Sequence, residues 1–118
     1  MEDQLYREII LEHWEHPQNY GAIEGADFSL DGNNPLCGDQ IRLTGNITGG
    51  VLTEIAFEGE GCAISRAAAS VYTEKIKGMS LDGISKISPD EVLAELGVEL
   101  TPARMKCALL VYQVMRQH

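Results

Sequence analysis

Apolar residues Leu5, Tyr6, Ile9, Ile10 and Trp14 recur at helical spacing between Glu8, Glu12, His13 and Glu15, which predicts an amphipathic helix over residues 5–16. Pro17 ends it, because the residue before a proline is pushed out of the α region. Residues 17–26, with Asn19, Gly21 and Gly25, read as turns, and 28–32 as a short strand. The pattern then changes period. Ile41, Leu43, Gly45 and Ile47 alternate with Arg42, Thr44, Asn46 and Thr48, and Val51, Thr53, Ile55 and Phe57 alternate with Leu52, Glu54, Ala56 and Glu58. Gly49-Gly50 between the two runs supplies the positive φ angles of a tight hairpin. Glu58-Gly59-Glu60-Gly61 is expected to break the second strand.

From residue 63 to 77 the period returns to helical, with Ile64, Ala67, Ala68, Val71, Tyr72 and Ile76 as the inward stripe and Gly78 as the stop. Residues 80–81 open a segment the pattern leaves unassigned. Ser88-Pro89-Asp90-Glu91 reads as an N-cap, a first-turn proline and first-turn acids, starting a short helix that Gly97 closes. Thr101-Pro102 repeats the cap and opens a last helix carrying Met105, Ala108, Leu109, Tyr112 and Met115. The expected fold is α+β, a small antiparallel sheet of about three strands with helices packed on one face, N-terminal helix first. At 118 residues it should form a single domain over 1–118.

Composition narrows the function classes. With 44% hydrophobic and 23% charged residues the chain has a soluble globular composition. No apolar run approaches the roughly 20 residues of a membrane span. The acidic start, Met1-Glu2-Asp3, lacks the basic region of a secretory leader, so a cytoplasmic location is expected. A net charge of −9 argues against a nucleic-acid partner, which calls for basic side chains to neutralise phosphates.

Three cysteines, Cys37, Cys62 and Cys107, suit metal or thiol chemistry better than a disulfide framework. Each reads as sitting at the start of an ordered element. Cys37 and Asp39 bracket Gly38, whose small size lets two ligands converge on one ion. Cys62 precedes the helix beginning at Ala63, where the dipole favours a thiolate. Lys106 and Arg104 bring positive charge near Cys107, with the same effect. Three thiols and the Asp39 carboxylate make four ligands, the number a tetrahedral thiophilic metal takes. Any one cysteine alone reads equally well as a small buried hydrophobe. His13, His16 and His118 read as solvated or terminal. Ser65 and Ser70 have no triad partners, and no glycine run continues into a phosphate-binding Gly-Lys-Ser/Thr.

Asn34-Pro35-Leu36-Cys37-Gly38-Asp39, Gly61-Cys62-Ala63-Ile64-Ser65 and Arg104-Met105-Lys106-Cys107-Ala108 resemble the three cysteine motifs of the U-type iron–sulfur cluster assembly scaffolds, the IscU, SufU and NifU N-terminal domain family. Leu5-Tyr6-Arg7 and His16-Pro17-Gln18-Asn19-Tyr20-Gly21 are similar to that family's first helix and following turn. The resemblance implies a carrier rather than a turnover enzyme. It would accept sulfur from a cysteine desulfurase, assemble a [2Fe–2S] cluster and pass it to apo iron–sulfur acceptor proteins, as a monomer or homodimer. It implies Cys37, Cys62 and Cys107 as ligands and sulfur acceptors, and Asp39 as the ligand that keeps the cluster labile, since a carboxylate is a harder, weaker ligand for iron than a thiolate.

The chain departs from the IscU type at Lys106, where a histidine stands in that type. It departs again at Leu100-Thr101-Pro102-Ala103-Arg104, which replaces Leu-Pro-Pro-Val-Lys, so recognition by a dedicated Hsp70-type chaperone is not expected. Its last motif is closer to SufU, yet the helix-plus-loop insertion of SufU between the second and third cysteines is missing. The alternative reading is therefore a SufU-like sulfurtransferase, a Zn²⁺-bound sulfur acceptor that stimulates the desulfurase from the same four ligands. A structural zinc is a third.

Overall fold

The structure, a computed structural model, describes residues 2–35, 38–97 and 100–117. Helix α1 (Glu2–Glu15) comes first. Strands β1 (Phe28–Asn34), β2 (Asp39–Thr48) and β3 (Val51–Glu60) follow, then helices α2 (Ala63–Ile76), α3 (Leu81–Ser85), α4 (Pro89–Leu96) and α5 (Pro102–Met115). The strands pair antiparallel in the order β1-β2-β3. Helix α5 lies against β1 and β2, α2 against β3, and α1 against α2. This is the α+β arrangement expected from the hydrophobic pattern.

Gly49 and Gly50 both take left-handed φ values, 59° and 77°, and close the β2–β3 hairpin at the Thr48–Val51 pair. The inward set on β3 differs from the alternation read along the chain. Asn46 pairs with Glu54 but Ile47 pairs with Leu52, so Thr53 is an extra residue in a β-bulge. Beyond the bulge the parity flips, and Leu52 is buried with Ile55 and Phe57, in place of Val51 and Thr53. Nor does the glycine-rich stretch after Phe57 end the strand. Gly59 and Glu60 stay paired with Ile41 and Gln40, and a Cβ on Gly59 would meet the Gln40 carbonyl oxygen at 2.0 Å. Glycine is there for close approach of two backbones.

Helix α2 is buried on more than the one stripe expected of it. Ser65, Ala67, Ala68, Ala69, Ser70 and Thr73 are buried with Tyr72 and Ile76, while Ile64 and Val71 are only half-buried. These small side chains let α5 and α1 close on two sides. One apolar cluster gathers sheet residues such as Leu43 and Phe57 with Tyr72, Ile76 and Val111. A second joins Ile10, Ala67, Ala68, Leu96 and Ala108. On α5, Leu110, Val111 and Val114 are buried, whereas Met105 in its first turn is 38% exposed.

Ser80, Ser88 and Thr101 each accept a backbone N–H at the start of α3, α4 and α5, and Gly97 closes α4 at φ 69°. The unassigned segment is thus the one-turn helix α3. Residues 17–27 are laced to the sheet: Gly21 N–H donates to Phe57 O, Phe57 N–H to Asn19 O, and Ile23 N–H to Thr44 Oγ1. His13 is half-buried and hydrogen-bonded, not simply solvated. Its Nδ1 lies 2.7 Å from Oγ of the fully buried Ser70, which also accepts the Gln18 N–H, and the three tie α1 to α2. His118 lies outside the described residues. No helix among the described residues is long and apolar enough to cross a membrane.

Candidate metal centre

The site lies where the β1–β2 turn, the end of β3 and the helices α2 and α5 meet. Asn34 and Asp39 are the last register pair of β1 and β2, and Gly38 N–H donates to Asn34 O at 2.9 Å to tighten the turn. Gly38 takes φ 72°, a value that favours glycine. Cys37, on this turn in sequence, lies outside the described residues, as does Leu36. Asp39 points inward as the first residue of β2 and is 0% exposed.

Cys62 is the N-cap of α2, at φ −73° and ψ 167°, and its sulfur accepts the Ser65 N–H at 3.4 Å. The sequence position one residue before the helix thus becomes a cap in which sulfur takes the place usually filled by a serine or aspartate oxygen. Cys62 also holds the carboxylate. Its N–H donates to Asp39 Oδ1 at 2.9 Å, and its Sγ is 3.9 Å from Oδ2. The space for that carboxylate comes from Gly61, where a Cβ would meet Asp39 Oδ1 at 2.6 Å and Cγ at 3.1 Å.

Cys107 does not begin its element. It sits in the second turn of α5, 1% exposed, because the burial of this helix starts there. Its sulfur, the Cys62 sulfur and an Asp39 oxygen all lie within 4.8 Å of one another. The Asn34 side-chain amide donates to Cys107 Sγ at 3.8 Å. Three of the four residues read as ligands thus converge across 68 residues of chain.

Two soft sulfurs and one oxygen at these spacings suit a single thiophilic ion. A metal–sulfur distance of about 2.3 Å in a tetrahedron puts neighbouring ligand atoms about 3.5–3.8 Å apart, against 3.9 Å between Cys62 Sγ and Asp39 Oδ2 and an upper bound of 4.8 Å for the whole set. Charge argues the same way. A buried carboxylate is costly without a counter-charge, and among the described residues the ion pairs are Arg42–Asp31, Lys75–Glu95 and Lys86–Asp82, none of which includes Asp39. A divalent cation would supply the missing charge.

Arg104 and Lys106, read as supports for Cys107, are exposed. Among the described contacts neither side chain reaches that sulfur; the Arg104 backbone N–H serves the Thr101 cap at 3.4 Å. Lys106 instead lines a cavity of about 380 Å³ with Asn33, Asn34, Pro35, Leu110 and Gln113. A second cavity, about 350 Å³, is walled by Trp14, Tyr20, Glu58, Gly61, Ser65 and Arg66. There the Arg66 guanidinium sits 4.6 Å above the Tyr20 ring, and its Nε donates to Trp14 O. Reading the chain missed Asn34 and Gly61 as site residues. Both lay within the quoted motifs, but only as neighbours that bend the backbone.

The family model described as "NifU-like N terminal domain" matches residues 5–118. The zinc-dependent sulfurtransferase SufU of Bacillus subtilis is 38% identical over 132 residues, spanning 98% of this chain and 89% of its own. The iron–sulfur cluster assembly scaffold protein IscU of Escherichia coli is 30% identical over 115 residues, spanning 94% and 88%. A crystal structure of a proposed iron–sulfur cluster assembly scaffold for the SUF system from Fervidobacterium islandicum superposes with a TM-score of 0.81. It is 27% identical and spans 97% of this chain and 96% of its own.

Proposed function

The chain belongs to the NifU-like N-terminal domain family, and on that premise we propose that it is a scaffold on which a labile [2Fe–2S] cluster is assembled for delivery to apo-proteins. Sulfur would come from a cysteine desulfurase. Cys37, Asp39, Cys62 and Cys107 would hold the cluster, which is cargo and not a resident cofactor. The observation that carries this reading is the convergence of the buried Asp39 carboxylate with Cys62 and Cys107 within 4.8 Å, with no ion pair to Asp39 among the described residues. A carboxylate among thiolates gives iron one harder, weaker ligand, which suits a protein that must release what it builds. Pro35 and Gly38, on either side of Leu36-Cys37 in sequence, are exposed. A cytoplasmic location fits this role.

A second reading has its own support. The spacing of the three atoms suits one ion, and the Bacillus relative at 38% identity is named a zinc-dependent sulfurtransferase. In that reading zinc rests on the same four residues, and a cysteine accepts sulfur from the desulfurase. The alignment with that relative runs to 132 positions where this chain has 118, so the relative carries a stretch this chain lacks; an alignment with a relative named a scaffold is equally long, so length does not separate the two readings.

Anaerobic incubation with ferrous iron, cysteine and a cysteine desulfurase, followed by optical and Mössbauer spectra, separates the two. A [2Fe–2S] spectrum that moves to an apo-ferredoxin supports the scaffold. Tightly held zinc, no cluster and faster desulfurase turnover would replace it with the sulfur acceptor.

A further inference from the structure

Asn34 touches more of the site than its place beside a proline suggests. Its backbone oxygen accepts the Gly38 N–H at 2.9 Å and so closes the turn whose sequence holds Cys37. It pairs with Asp39 across the sheet. Its side chain, 6% exposed, crosses from the sheet to α5 and donates to Cys107 Sγ from 73 residues away. One residue therefore engages the turn of one ligand, the strand of a second and the sulfur of a third.

We infer that Asn34 is a positioning residue for the metal centre: its amide N–H fixes the Cys107 sulfur at the site and stabilises the negative charge that sulfur carries as a ligand. The inference rests on the reading of Cys107 as a ligand given above. An N–H donor aimed at a thiolate lowers the energy of the sulfur lone pairs, and such partners behind the ligands tune affinity and electronic properties. A leucine of nearly the same size would fill the space without the donor. An aspartate would turn an acceptor toward the anion.

The test uses the whole chain loaded with cobalt(II), which reports thiolate ligation through its sulfur-to-metal charge-transfer band, together with zinc affinity from competition with a chromophoric chelator. N34L is expected to bind zinc about tenfold more weakly and to move the band to lower energy. N34D should shift both further in the same direction, and decides the matter should N34L not fold. A band unmoved in the variants, with zinc affinity within twofold of the parent, overturns the inference. So does a lower melting temperature of the metal-free variants with an unmoved band, because that is a packing role alone. If the parent takes up no cobalt, or C107A retains the parent's band, the ligand assignment itself is wrong and Asn34 falls with it.

Discussion

Gly61→Ala tests the clamp between Asp39 and Cys62. The backbone at Gly61 is not in the left-handed region, so alanine meets no conformational strain there, only a steric one. Its Cβ would lie 2.6 Å from Asp39 Oδ1, 3.1 Å from Cγ and 3.2 Å from Cβ, against an ordinary contact of about 3.5 Å. The carboxylate must withdraw by nearly an ångström. It has no open side to move into, being fully buried, and the movement breaks its 2.9 Å bond from Cys62 N–H. A hydrogen bond to a charged group contributes about 1.5–3 kcal/mol, so the metal-free variant should lose about 2 kcal/mol in urea unfolding. A displaced ligand should also weaken zinc binding at least tenfold. The same change made in an Asp39→Ala background should cost much less, since Oδ1 and Cγ are gone and only the 3.2 Å approach to Cβ remains. Equal losses in the two backgrounds would refute the clamp, and so would a single variant matching the parent in both stability and zinc affinity.

Further expectations follow from the same coordinates. Asp39→Ala should lengthen the lifetime of a reconstituted cluster by removing its most labile ligand, read as the decay of visible absorbance under a chelator; a lifetime no longer than the parent's would dismiss the lability argument. Stripping metal should leave the fold in place, with far-UV circular dichroism unchanged by chelator, because both apolar clusters close without the site; unfolding would favour a structural zinc. Burial, with a smaller effect of the Tyr112 phenol, pushes Tyr72 up to about 12 from its ordinary 10. The folded protein then holds a proton that the unfolded chain loses, so this contribution is complete below pH 10 and disappears as the pH rises to about 12, a fall of about 2–3 kcal/mol. Tyr72→Phe should flatten urea midpoints against pH across that window, and a variant with the parent's slope would contradict it.

The local chemistry of the chain was legible from its letters. The Gly49-Gly50 hairpin, the caps at Ser88 and Thr101, the αL stop at Gly97 and the change of period from two to 3.6 all depend on residues within one turn of each other. Such signals survive in sequence because a dihedral preference or a cap involves near neighbours alone. The ligand types were legible for a similar reason: three cysteines and an aspartate, all but Cys107 beside a glycine, in motifs that resemble a known family. The bulge at Thr53 was not, because it is one extra residue relative to the partner strand, and the letters of β3 taken alone do not show where the buried parity flips. Position along α5 does not reveal that burial begins at Cys107 and not at Met105; the packing of α2 against it decides that.

The sequence by itself determined which groups this protein can offer a metal and which elements carry them. Tertiary structure decided how they meet: Gly61 making room for Asp39, Asn34 reaching Cys107 across 73 residues, and His13 held by Ser70 and not released to solvent. Those contacts are set by how α2 and α5 close on the sheet, and closing the long loops between them is repaid only by the core as a whole.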